Sequence, residues 1–372
     1  MHPPHVYLHV PFCARRCSYC DFAIAVRQVV PVADYLTALE CELRIRFGDS
    51  VPWSAQTLYA GGGTPSRLGP DGVHGLMDLL RGRITLEVGA EVTLEANPED
   101  VTDAAAHAYH AAGVNRVSLG SQTFSEEALR WMRRAHGADG IHLAVERLRG
   151  AGIENISLDL IFALPGSIHR DWSADLDMAL ALKPDHISLY GLTIEPRTPL
   201  GRWHGRGQVA EATEATYEHD FLLASERLTA AGYVHYEVSN FGLPGRESRH
   251  NRSYWTGAAY AGLGPSAHEF NGAERRWNVN PYEEWRALAV SAVDPIGGRE
   301  ELTRENRVAE TVYLGLRTTA GLAIEGSVER GRAEVWEAAG WATVSNGVIR
   351  LTALGWLRLD SLAADLTVIR SR

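Results

Sequence analysis

The 372-residue sequence predicts an α/β fold: a partial (β/α)6 barrel followed by a smaller C-terminal domain. Three observations lead there. Short β-rich apolar runs alternate with amphipathic stretches through the first half of the chain. Polar and glycine-rich motifs follow directly on several of those runs. The alternation stops near residue 195, and a helix–hairpin–helix pattern begins near residue 299. Alternation with this spacing is the mark of parallel strands joined by crossover helices.

The six expected strands are 6–10, 57–60, 91–95, 116–119, 155–161 and 186–192. The stretches 34–47, 71–81, 104–112, 140–151 and 170–182 between them carry helical spacing. Six units fall short of a closed eight-unit barrel, and no further units of the same kind follow. Residues 197–209, rich in Gly, Pro and Arg, read as a loop. A helix over 211–231 leads through Gly232 into a strand at 234–238. Residues 240–264 are rich in Gly, His, Asn and aromatics without helical period, as in long functional loops. Beyond 299, helices at 305–317 and 327–339, a hairpin turning on Asn346-Gly347 and a helix at 353–366 resemble a winged helix. The expected division is a barrel over 1–240, a connecting segment over 241–298 and a winged-helix-like domain over 299–372.

Composition narrows the function. The net charge of −10 lacks the basic footprint of a nucleic-acid binder, and acidic and basic residues balance beyond residue 299, so no nucleic acid is expected as partner. No apolar run is long enough to span a membrane, and the N-terminus lacks the pattern of a secretory signal, so a cytoplasmic location is expected. In that reducing compartment clustered cysteines point to a metal site or catalysis rather than to disulfides.

Three of the four cysteines lie within eight residues, Cys13-x3-Cys17-x2-Cys20, just after the first expected strand. Thiolates suit zinc or iron–sulfur clusters. Structural zinc wants four protein ligands, and the one local candidate for a fourth, His9, lies on the strand itself. Three thiolates on a four-iron cube would leave one iron open to a ligand from outside the protein. Cys41 stands alone in a helical pattern and reads as a small buried residue.

This spacing, at this place in a partial barrel, resembles the radical S-adenosylmethionine (SAM) superfamily over about residues 6–195. The resemblance implies that Cys13, Cys17 and Cys20 hold a [4Fe–4S] cluster whose fourth iron is chelated by SAM. It also implies that electron transfer from the cluster cleaves SAM to a 5′-deoxyadenosyl radical. The Gly61-Gly62-Gly63-Thr64-Pro65 turn looks like the loop that receives the SAM ammonium, with Gly62, Gly63 and Thr64 in contact. Glu95, Gln122, Arg134 and Asp159 fall at the superfamily's other SAM-contacting positions, and Tyr7, Tyr19 and Thr193 at further matching ones. Ala163 stands where many relatives carry glycine, adding a methyl group where the chain is expected to approach the cofactor.

The GGGTP form is typical of the oxygen-independent coproporphyrinogen III oxidase group. Two features separate the chain from the oxidases. Phe22 occupies the place of their fourth cysteine, and the chain starts six residues before Tyr7, so their N-terminal extension is expected to be absent. A third feature is positive: His250-Asn251-Arg252-Ser253-Tyr254-Trp255 is similar to the HNxxYW pattern of the HemW-type heme chaperones. That resemblance implies heme binding with His250 as an iron ligand, and delivery to hemoproteins such as respiratory enzymes. A recipient in a membrane complex would bring peripheral membrane contact, and a homodimer is compatible with the same reading. The alternative is an oxidase that decarboxylates the propionates of coproporphyrinogen III.

Overall fold

The computed structural model describes residues 2–48 and 53–371. All six expected strands form, the first five extending beyond their expected limits and the sixth ending one residue short: β1 (His5–Val10), β2 (Trp53–Gly62), β3 (Ile84–Ala96), β4 (Arg116–Gln122), β5 (Asn155–Phe162) and β6 (His186–Gly191). Each pairs in parallel with the next. Strand alternation sorts their side chains. On β1, Val6, Leu8 and Val10 are fully buried with Tyr35, Ala38, Leu39 and Leu43 of helix α1 (Val32–Phe47). His5, Tyr7 and His9 alternate with them and face the barrel interior.

The sheet has twelve strands rather than six. On one side β7 (Val234–Glu237) and β8 (Asn240–Gly242) add antiparallel to β6. On the other side the segment expected to be irregular contains a strand, β9 (Tyr260–Leu263), that pairs in parallel with β1, matching His5 to Tyr260 and Leu8 to Leu263. Beyond β9 the sheet continues antiparallel through β10 (His268–Phe270), β11 (Glu274–Asn278) and β12 (Ile296–Glu301). Residues 240–264 therefore hold two strands and a helix, and the boundary expected at residue 299 falls inside β12. Their elements escape pattern reading because they are short. The helix Arg249–Trp255 has seven residues, too few to show an apolar period, and begins at Ser248, whose hydroxyl accepts from the Asn251 amide. Gly262 sits where a Cβ would lie 1.9 Å from the His268 carbonyl oxygen, so the β9–β10 approach requires glycine.

Glu42 anchors this added half. It lies fully buried on α1 and accepts hydrogen bonds from the Gly264 amide (2.9 Å), Asn278 Nδ2 (2.6 Å), Trp285 Nε1 (3.0 Å) and Arg46 Nη1 (2.9 Å). A buried carboxylate held by four donors is satisfied rather than strained. After β12 come the helices Arg304–Arg317 and Ser327–Ala338, a three-stranded antiparallel sheet (Leu322–Ala323, Ala342–Ser345, Val348–Leu351) and the helix Leu359–Arg370.

Candidate cofactor site

The C-terminal ends of β1 to β6 open into one cavity of about 400 Å³. In parallel α/β sheets this is the end that carries function, because the loops there follow successive strands around a common mouth. Cys13, Cys17, Tyr19, Cys20, Gly62, Gly63, Thr64, Glu95, Gln122, Arg134, Asp159 and Thr193 all line it. Phe22 lies at its rim with 61% of its surface exposed.

The cysteine loop leaves β1 at Pro11 and returns at Ala25, whose amide donates to the Pro11 carbonyl at 2.7 Å. It is also tied to the far wall, since the Ser18 amide donates to the Met132 carbonyl and the Leu200 amide to the Ser18 carbonyl. All four cysteines are free thiols. Burial pushes the Cys13 thiol up and the Cys20 thiol up to about 11, so these thiols stay protonated until an electrophile takes the proton's place. Cys13 Sγ lies 3.4 Å from Thr64 Oγ1, and Arg134 Nη1 donates to Cys17 Sγ at 3.4 Å. His9 cannot complete a four-ligand zinc site. Its Nε2 donates to the Ala23 carbonyl at 2.9 Å, and its Nδ1 accepts from the Tyr7 hydroxyl at 3.1 Å. Among the described residues no group of three or more His, Cys, Asp or Glu side chains is placed to hold a single metal ion. Three thiols on one cavity wall with no fourth protein ligand fit a cluster that keeps one iron open.

The glycines at the end of β2 are required by space. Gly62 has φ +111°, and a Cβ there would lie 2.6 Å from His9 Cε1; at Gly63 it would lie 2.5 Å from the Pro11 carbonyl oxygen. Glu95 accepts from the Gly62 amide at 3.0 Å and from the Tyr59 hydroxyl at 2.7 Å. Burial, reinforced by the Asp159 charge, raises its carboxyl to about 7 against these two donors. Glu95 is not wholly enclosed and opens onto the cavity. Asp159, held by Ser118 Oγ at 3.0 Å, is raised by burial to about 6. Two poorly solvated carboxyls facing one cavity favour a cationic guest, and SAM carries both a sulfonium and an ammonium. Arg134 spans the opposite side, donating from Nη2 to Asn97 Oδ1 (2.5 Å) and the Gly120 carbonyl (2.8 Å), while its buried Nε has no partner. These features fit the residues to SAM.

Several contributors escaped sequence reading. Tyr59 orients Glu95, Asn97 holds Arg134, and Ser118 holds Asp159. The available signal was alternation: Thr57, Tyr59 and Gly61 share the interior face of β2, and Ser118 shares that of β4 with Arg116. Ala163 is not in the cavity wall. Its φ of +54° explains a preference for glycine through the backbone, not through closeness to a cofactor.

Two expected residues lie elsewhere. Tyr7 lines a second cavity, toward β9. His250 was expected to ligate heme iron, but it is 1% exposed and both its ring nitrogens are occupied, Nδ1 with Thr57 Oγ1 at 2.7 Å and Nε2 with the Tyr254 hydroxyl at 2.8 Å. Burial, with help from the neighbouring His5 and Arg116, depresses its pKa to about 3 and keeps the ring neutral. In this structure the ring has no nitrogen free for a metal, because the turn from Ser248 inserts it between β2 and Tyr254.

The Radical SAM superfamily profile matches residues 7–179. The heme chaperone HemW of Mycobacterium tuberculosis is 37% identical over 369 residues, 98% of this chain and 95% of its own. Those of Bacillus subtilis (35%, covering 85% of this chain and 84% of that one) and Escherichia coli (38%, covering 72% and 70%) are similar. Among solved structures, the Escherichia coli coproporphyrinogen III oxidase HemN, a radical SAM enzyme, superposes with a TM-score of 0.80 at 22% identity, covering 98% of this chain and 90% of its own. At that identity the likeness is one of fold.

Proposed function

The chain belongs to the HemW heme chaperones of the radical SAM superfamily, and on that premise we propose that it binds heme and delivers it to hemoproteins such as respiratory enzymes. The observation that carries the reading is similarity along 98% of the chain to a relative of that name. The HemN fold alone would serve an oxidase equally well, and Phe22 stands where an oxidase would place a further thiol. We place the protein in the cytoplasm, where the cluster's thiols stay reduced. Among the described residues no helix is long and apolar enough to cross a membrane, and contact with a membrane-bound recipient would be peripheral. A homodimer fits the same reading.

In this proposal Cys13, Cys17 and Cys20 hold the cluster. Gly62, Gly63 and Thr64 offer backbone and hydroxyl groups to the SAM amino-acid moiety. Glu95 and Asp159 supply carboxylates to its cationic and ribose ends. Tyr19, Gln122 and Thr193 wall the cavity, and Arg134 places its charge between the thiols and Asn97. When bound, the cluster and SAM would supply a one-electron reductant and a reducible sulfonium. The test is anaerobic reconstitution with iron and sulfide followed by titration with ferric heme. A saturable Soret change is expected. Turnover of coproporphyrinogen III to protoporphyrinogen with SAM and reductant would replace the carrier reading with the oxidase.

A further inference from the structure

A second cavity of about 400 Å³ lies beside the cofactor site, toward β9 and β10. The two share a wall. Tyr7 and His9 line the second cavity, and His9 packs against Gly62 of the first. Its size is within the range of small-molecule sites. Tyr254 and Trp255, the last two residues of the HNxxYW run, form one side of it, and Tyr260 and Phe270 of the added strands form another. Tyr254 is held there by the His250 ring behind it.

Several polar side chains line this cavity, among them His268, Arg275 and Glu310. His268 lies exposed on β10, its ring stacked on Trp277 with centroids 5.7 Å apart. Among the described residues no hydrogen bond engages either of its nitrogens, in contrast to those of His9 and His250. Partial desolvation and the Arg275 charge both lower its pKa, which favours the neutral ring. The buried Nε1 of Trp255 has no hydrogen-bond partner among the described residues. Arg275 brings a cation, paired with Glu310 at 2.6 Å. Flat aromatic walls, one uncommitted imidazole and one cation able to share a carboxylate are the complement of a planar metalloporphyrin with propionate arms.

We propose that this second cavity receives the heme, with His268 as an iron ligand, Tyr254 and Trp255 as the wall against the porphyrin, and His250 as the residue that positions Tyr254. The assignment rests on the heme-carrier reading and names its site. It puts the cargo one residue layer from the cluster cavity, across His9 and Gly62.

The test is titration of the reconstituted full-length protein with ferric heme, in the parent and in His268→Ala, Ala258→Trp and His250→Gln. His268 is at the surface, so its variant folds, and an unchanged iron–sulfur spectrum and melting temperature verify that. His268→Ala should shift the Soret band and weaken binding by about tenfold or more. Ala258→Trp, which fills the cavity, should block uptake, and His250→Gln, which loosens Tyr254 without touching the iron, should weaken binding less than His268→Ala does. If the parent binds heme and His268→Ala keeps its band and affinity, the assignment falls while the carrier reading stands. A Soret shift confined to His250→Gln returns the ligand to His250 and equally overturns it. A parent that takes up no heme removes the carrier reading and this one with it.

Discussion

Arg134 donates from Nη1 to the Sγ of Cys17 across 3.4 Å, while its Nη2 is held by Asn97 and the Gly120 carbonyl. A fixed cation in contact with a cluster ligand stabilises the more negative, reduced state of the cluster. Arg134→Gln should therefore lower the cluster's reduction potential without changing its iron content, as measured by redox titration followed by electron paramagnetic resonance. A potential equal to the parent's would show that the contact is not maintained when the cluster is bound.

Cys13, Cys17 and Cys20 share one cavity wall, whereas Cys41 packs against the apolar core. Alanine at any of the first three should abolish the visible absorption of the anaerobically reconstituted protein, and Cys41→Ala should leave it intact. A protein that binds one zinc tightly and takes up no iron would refute the cluster assignment.

Glu95 is expected to bind SAM only when ionised. Because its carboxyl titrates near 7, SAM affinity should rise as pH increases through that value. At pH 8 Glu95→Ala should weaken binding by about 1.5–3 kcal/mol, the scale of a hydrogen bond to a charged group. Calorimetric titration at pH 6 and 8 checks both the slope and its loss in the variant.

The two raised carboxyls and the depressed histidines act on stability in opposite directions. Glu95 and Asp159 hold protons more tightly folded than unfolded, so their contribution is present in acid and lost as pH rises toward about 7 and 6. His250 and His235, lowered to about 3, and His9, lowered to about 4, bind protons more readily unfolded. Their contribution is present above 6.5 and lost as pH falls below it. Denaturant melts from pH 8 to 5 should show Glu95→Gln losing less stability than the parent as pH rises. His250→Gln should lose less as pH falls.

Gly63→Ala would place a methyl carbon 2.5 Å from the Pro11 carbonyl oxygen, and Pro11 opens the loop that carries Cys13. Relief requires moving that loop, so the variant should be destabilised by about 1–3 kcal/mol and should lose its cluster faster in air. Chemical melts and the decay of cluster absorbance report the two effects separately.

The features legible in the sequence are those confined to one short stretch of chain. The cysteine spacing and the glycine turn are local, and strands and helices of full length announce their period, so the six parallel strands and the residues at their ends were readable in order. What only the tertiary structure decided are the partnerships between distant segments. Tyr260–Leu263 has four residues and no diagnostic pattern; it becomes the seventh parallel strand because β1 offers an unpaired edge, about 250 residues earlier in the chain, that its backbone can satisfy. The same holds for His250. Its motif marks the residue, but Thr57 and Tyr254 determine that both nitrogens are occupied, since a buried imidazole must find partners wherever the fold has put them. The second cavity arises in the same way, from β1, the helix Arg249–Trp255 and the added strands meeting around a space that no one of them encodes.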